Sequence, residues 1–225
     1  MTSLPLDMRM PRLILELAAI FLLVPVAIWR HWLAVPLIFI PLYLLTAYAV
    51  LWLLKRGGYG RRQFWLGDDP AAEKAALKMI AWRFVAVVAA VGLVVYGLYP
   101  QKLFVLPREH PLVWLLILAL YPLFSVYPQE ILYRAFFFTR YAALFAEREF
   151  MVIASTLCFM LMHMVFGNGI ALLSTLIGGY LFADTYSRTR SLRLVCLEHT
   201  LYGYVIFTVG LGEFFVFGGM KSFLA

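Results

Sequence analysis

Apolar residues in this chain come in long unbroken runs rather than in the alternation of a half-buried strand or the narrow stripe of a surface helix. A helix that crosses a bilayer takes about 20 mostly apolar residues. Runs of that kind occupy Leu13–Trp29, Trp32–Leu54, Met79–Tyr99, Pro111–Tyr127, Phe150–Phe166, Gly169–Tyr186 and Leu192–Leu211. One further stretch, Gln129–Phe145, is ambiguous. It reads either as the lower part of one long kinked helix that starts at Pro111, or as a separate pass that turns back at Pro128. The pattern therefore predicts an all-α, polytopic transmembrane helical bundle with seven or eight membrane passes. Pro25, Pro36, Pro41 and Pro122 fall inside runs, which membrane helices tolerate where neighbouring groups take up the freed carbonyls.

Composition sharpens this picture. The 225 residues are 64% hydrophobic and 14% charged, against about 45–50% and about 25% in soluble domains. No internal repeat, low-complexity tract or polar domain interrupts the chain, so residues 1–225 read as a single integral membrane domain. The N-terminal run after Arg9 and Arg12 reads as a retained first helix, with no small-residue cleavage site leading into a polar chain. Cys158 and Cys196 each sit in an apolar run and have the spacing of neither a disulfide framework nor a zinc pair.

The net charge of +7 lies in short connections, not in a soluble basic domain, which excludes nucleic acid as a partner. The most polar segment, Lys55–Lys78, carries Lys55, Arg56, Arg61, Arg62, Lys74 and Lys78 against Asp68, Asp69 and Glu73. Basic loops stay on the cytoplasmic side, which puts Arg9 and Arg12 there as well. A single long helix from Pro111 brings Arg188, Arg190 and Arg193 to that same side; a separate pass at Gln129–Phe145 sends them to the other. A bacterial inner membrane and its lipid bilayer are the setting this design suggests.

Ionisable residues inside spans are costly, about 2.5–3.5 kcal/mol each on insertion scales, and tend to mark function. Glu130, Arg134, His163, Glu198 and His199 fall in this class, with Glu16, Arg83 and Asp184 in or near spans. Glu130 and Arg134, in YPQEILYRAFFFTRY, are four apart and share a helix face. An ion pair that neutralises two buried charges accounts for them in isolation. Gln129 adds a third polar group beside them. Of the four histidines, His31 and His110 lie at loop boundaries, while His163 and His199 lie in spans of the same half of the chain as Glu130. One carboxylate and two imidazoles are enough to polarise a water and steady an oxyanion. They are also one ligand short of a protein-only tetrahedral zinc site, as catalytic zinc is held.

The ordered set QEILYR, FMLMH and HTLYG (Gln129–Arg134, Phe159–His163, His199–Gly203) resembles the CAAX-protease and bacteriocin-processing family of intramembrane peptidases. These are also called the Abi or type II CAAX prenyl endopeptidase family, and their pattern is EExxxR, FxxxH and HxxxN or HxxxD, each on its own helix. The resemblance covers roughly residues 111–211, the motif-bearing half. The second motif fits completely. The first has Gln129 where the family has the Glu usually given the role of activating water, and the third has Gly203 where Asn or Asp is expected.

What the resemblance implies is an intramembrane endopeptidase acting on a membrane-tethered protein or peptide. Glu130 is the expected base, His163 orients the water, His199 donates to the oxyanion, and Arg134 holds Glu130. Gln129 is expected to orient substrate or water, and Asn168 is a substitute donor for the residue missing at position 203. No cofactor is expected; if the enzyme were metal-dependent, Glu130, His163 and His199 would be the ligands, with zinc the metal. Glu130 must lie level with His163. An antiparallel separate pass achieves this directly, whereas a long fourth helix offsets the two by about 10 Å at 1.5 Å per residue, so motif geometry favours eight passes where loop charge favours seven. The competing readings are a catalytically inactive homologue acting as a scaffold or immunity factor, for which Gln129 speaks, and a transporter, against which the lack of a repeat speaks.

Overall fold

Proline decides the shape of the central helix. In the computed structural model, which describes residues 6–32, 39–67 and 69–216, with side chains from residue 10 onward, Pro111–Arg140 is one continuous helix of 30 residues. Pro36, Asp68 and the side chain of Arg9 lie outside the described residues. The ambiguous stretch from Gln129 is thus the lower part of a long helix, and no chain reversal occurs at Pro128. The helix widens into π-turns at Pro122–Val126 and Ile131–Phe136. Proline has no N–H to give to the carbonyl four residues back. Pro122 therefore frees the carbonyl of Leu118 and Pro128 that of Phe124. Both are taken up from outside the helix: Tyr204 donates its hydroxyl to Leu118 at 2.5 Å and Tyr43 donates to Phe124 at 2.8 Å. Thr46 adds a bond to the carbonyl of Pro128 at 3.2 Å.

We number the long helices α1 (Met10–Trp29), α2 (Phe39–Arg56), α3 (Pro70–Leu98), α4 (Pro111–Arg140), α5 (Arg148–Phe166), α6 (Gly169–Thr189) and α7 (Leu192–Val209). All except α6 are long and apolar enough to cross a membrane. The 21-residue α6 is more polar and packs against α5, α7 and α3. The all-helical fold and its membrane character follow the hydrophobic pattern.

Local chemistry sets the helix ends. Asp69 caps α3, accepting from the amide of Ala71 ahead of Pro70 in the first turn. Asn168 caps α6, accepting from the amide of Ala171, and Ser191 caps α7, accepting from that of Leu194. At the end of α7 the chain turns at Gly210 with φ +107°, where a side chain would run into the carbonyl of Lys102, so only glycine serves.

Burial separates lipid-facing from central helices. In α2, α3 and α4, 11% of the most apolar 18-residue window is buried, against 61% in α7. The lower half of α4 is the exception to its lipid-facing upper half: Ile131 to Phe138 are all buried. Phe21 of α1 packs edge-on against Tyr133, Phe137 and Tyr141, and Tyr48 and Trp52 of α2 pack on Phe136. The basic loop after α2 docks at the α6–α7 turn: Arg193 donates its amide to the carbonyl of Trp65 at 2.8 Å and its guanidinium to Glu73 at 2.8 Å. Loop Arg61 and Arg62 and turn Arg190 and Arg193 thus share one end of the bundle, the arrangement the single long helix predicts from charge.

Candidate functional site

The three motifs meet around Phe159. Its ring lies 4.5 Å from the imidazole of His163 and 5.6 Å from that of His199, centre to centre, and the guanidinium of Arg134 sits over it at 5.1 Å. The lower part of α4 thus supplies Gln129, Glu130 and Arg134, the end of α5 supplies His163, and α7 supplies His199. Phe159 stands one turn before His163 on α5, and its ring is in contact with both imidazoles.

Glu130 is fully buried, and its Oε1 accepts a hydrogen bond from His199 Nδ1 at 2.7 Å. Its other oxygen, Oε2, faces Arg134 Nε at 3.3 Å as an ion pair without hydrogen-bond alignment. Arg134 is itself anchored, donating to Ser155 Oγ at 2.9 Å and to the carbonyls of Tyr133 and Gly179. Ser155 in turn donates to the carbonyl of Tyr133 at 2.8 Å. Phe182 stacks on His199 at 4.4 Å and 19°, fixing the plane of the ring.

Both imidazoles are committed in the same sense. His163 Nδ1 donates to the carbonyl of Phe159 at 2.7 Å; a carbonyl only accepts, so this nitrogen carries the proton. Nδ1 of His199 likewise donates to a carboxylate. In the neutral ring one nitrogen donates and the other accepts, so in that form each histidine turns Nε2 outward as an acceptor. The site holds two basic nitrogens oriented by their partners.

Several expectations are redistributed. Asn168 is spent: its side-chain oxygen caps α6 and its nitrogen donates to the carbonyls of Phe166 and Phe214. Its oxygen and both amide hydrogens are thus engaged within the protein. Glu198 points away from its neighbour His199, accepting from Thr185 at 2.5 Å and Tyr202 at 2.8 Å, with Arg83 at 3.6 Å. Arg83 also pairs with Asp184 at 2.6 Å, and Asp184 with Arg148 and Arg188. Glu16 pairs with Arg140 at 2.6 Å. These charges lock helices together.

Gln129 donates its side-chain nitrogen to Ser125 Oγ at 2.8 Å, while its oxygen is buried with no hydrogen-bond partner among the described residues. Ser125, Ser155, Phe182 and Tyr121 were not legible as site residues, because nothing in their spacing ties them to the three motifs. Glu130 turns one oxygen to His199 Nδ1 and the other to Arg134, and among the described residues no group of three His, Cys, Asp or Glu could hold a metal ion.

A family model described as Type II CAAX prenyl endopeptidase Rce1-like matches residues 110–205, the stretch that holds all three motifs. No curated protein and no solved structure matches the chain.

Proposed function

We propose, from the match of residues 110–205 to the Rce1-like type II CAAX prenyl endopeptidase model, that this integral membrane protein is an active intramembrane endopeptidase with Glu130 and His199 as one acid–base pair. It hydrolyses a peptide bond of a membrane-tethered protein or peptide, in or beside the bilayer of a bacterial inner membrane. The observation that carries the reading is the 2.7 Å contact between Glu130 and His199 Nδ1 in a buried setting. A carboxylate held on Nδ1 fixes the tautomer, turns Nε2 outward as the base, and stabilises the imidazolium that forms.

In the proposed reaction His199 Nε2 takes a proton from water, and the oxygen attacks the scissile carbonyl carbon. When the tetrahedral intermediate collapses, the C–N bond breaks and the same Nε2–H returns the proton to the leaving amine. His163, with its own Nε2 lone pair, accepts from that water and orients it. Arg134 holds Glu130 as a carboxylate. Gln129 is then no vacancy in the machinery: proton transfer does not pass through it, and its unpartnered oxygen accepts from water or from a substrate amide. Chain departures from the family pattern at Gln129 and Gly203 support a second reading, an inactive member serving as a membrane scaffold.

The test is cleavage of a fluorogenic farnesylated CAAX peptide and of a membrane-tethered peptide reporter in proteoliposomes. Wild type cleaves at least one. His199→Ala and Glu130→Ala lose about 10²–10⁴-fold in kcat, the range of general acid–base catalysis. Gln129→Ala stays within about tenfold of wild type, below that range. A wild type that leaves both probes intact favours the scaffold; a Glu130→Ala variant as active as wild type overturns the pair.

A further inference from the structure

If both imidazoles present lone pairs, neither offers an N–H to the carbonyl oxygen as negative charge develops on it. Hydrolysis of a peptide bond in a dry site needs such a donor. Asn168 is committed to its cap, and Arg134 is fully buried with its Nε turned to Glu130 and its Nη groups on Ser155 and two carbonyls, so a donor on another side chain is called for.

Position 203 shows where. Gly203 lies one turn after His199 on α7, and it is a glycine inside a helix with ordinary helical backbone. Its reason is spatial. A Cβ there would come within 2.6 Å of both Cζ and Oη of Tyr121, so the hydroxyl end of that ring occupies the space a side chain would take. The ring of Tyr121 stands edge-on to the imidazole of His199 at 6.0 Å and is held from the other side by Phe207 at 5.6 Å. The hydroxyls of Tyr43, Tyr127, Tyr202 and Tyr204 donate to protein oxygens, whereas none of the hydrogen bonds among the described residues that frame the site uses that of Tyr121. A tyrosine hydroxyl is a hydrogen-bond donor.

Resting on the protease reading, we propose that Tyr121 is a catalytic residue whose hydroxyl donates the hydrogen bond that stabilises the oxyanion, in the space left by Gly203. The proton stays on Oη throughout; the hydroxyl aims a preorganised dipole and exchanges no proton. Tyr121 lies on α4, two turns above Gln129, so the helix that supplies Glu130 also supplies the donor. Gly203 and Tyr121 form one unit: a small residue on α7 and a large polar one on α4 that fills it.

Tyr121→Phe in the full-length protein, reconstituted with the same two probes, isolates the hydroxyl while keeping the ring. The expected result is a fall of about 10²-fold or more in kcat, the cost of removing one such donor, with KM and the thermal unfolding midpoint unchanged. Gly203→Ala, which displaces the ring, also lowers kcat. Asn placed at the vacated position recovers activity, so Tyr121→Ala/Gly203→Asn exceeds Tyr121→Ala. Wild-type kcat in Tyr121→Phe overturns the assignment while leaving the protease reading intact, as does a rise in KM alone, which makes Tyr121 a packing surface for substrate. A wild type that cleaves neither probe overturns both.

Discussion

Gln129 and Glu130 are neighbours in sequence with different fates. Successive residues on a helix point about 100° apart, so Glu130 turns inward to His199 and Arg134 while Gln129 turns to Ser125. This is why a Gln at the first position leaves the buried pair complete. The burial of Arg134 is the other side of that arrangement. Removing one member of a buried ion pair strands the other charge and costs about 3–5 kcal/mol. Arg134→Met is therefore expected to lower the unfolding midpoint in detergent by several degrees. Glu130→Gln/Arg134→Met, with both charges gone, is expected to unfold at a higher temperature than Arg134→Met alone. A double variant as unstable as the single one would mean that Arg134 acts through Ser155 and the carbonyls instead.

At the scale of the element, α4 does two jobs with one helix. Its upper half faces outward, with Leu112, Leu116 and Leu120 exposed, and its lower half is buried and carries the acidic motif. The π-turns at Pro122–Val126 and Ile131–Phe136 lie on either side of Gln129 and Glu130. A π-turn shifts the register of the side chains beyond it, so Tyr121 and Glu130 are set by the turns as well as by their spacing. The structure depends on two tyrosines to close what the prolines open. Leaving a buried carbonyl unsatisfied costs about 1–3 kcal/mol. Tyr204→Phe is expected to destabilise by that amount, and Tyr43→Phe by less, because the bond from Tyr43 is exposed. Pro122→Ala restores an N–H for Leu118, so Pro122→Ala/Tyr204→Phe is expected to unfold at a higher temperature than Tyr204→Phe. Chemical unfolding of the three variants in one detergent measures this.

The whole molecule is organised around α7, the most buried of the candidate spans. It contributes His199 to the site, Glu198 to the network with Arg83 and Thr185, and Arg193 to the contact with the basic loop. Site, interhelical lock and loop dock therefore hang on one helix. The docked loop also fixes which ends of the bundle share a membrane face. With Cys158 and Cys196 replaced by Ala, single cysteines at Arg61 and at Arg190 are expected to react with a membrane-impermeant maleimide from the same side of sealed membrane vesicles. Labelling from opposite sides would break the single-helix arrangement of α4.

The sequence by itself determined the class of the molecule and the residues worth watching. Runs of apolar residues are long enough to be spans whatever their neighbours do, since hydrocarbon leaves the backbone no partner except itself. Charges are rare enough in such runs that Glu130, Arg134, His163 and His199 stood out at once. The tertiary structure decided how they are used. That Glu130 meets His199, that Glu198 one residue away faces Arg83 instead, and that Tyr121 fills the notch at Gly203 are contacts across tens of residues. Helical spacing reports only which residues share a face; which face meets which depends on how helices pack. The path of α4 was undecided for a related reason: Pro128 is compatible with both a turn and a continuing helix, and the hydroxyls of Tyr43 and Tyr204, supplied from two other helices, satisfy the carbonyls that let it continue.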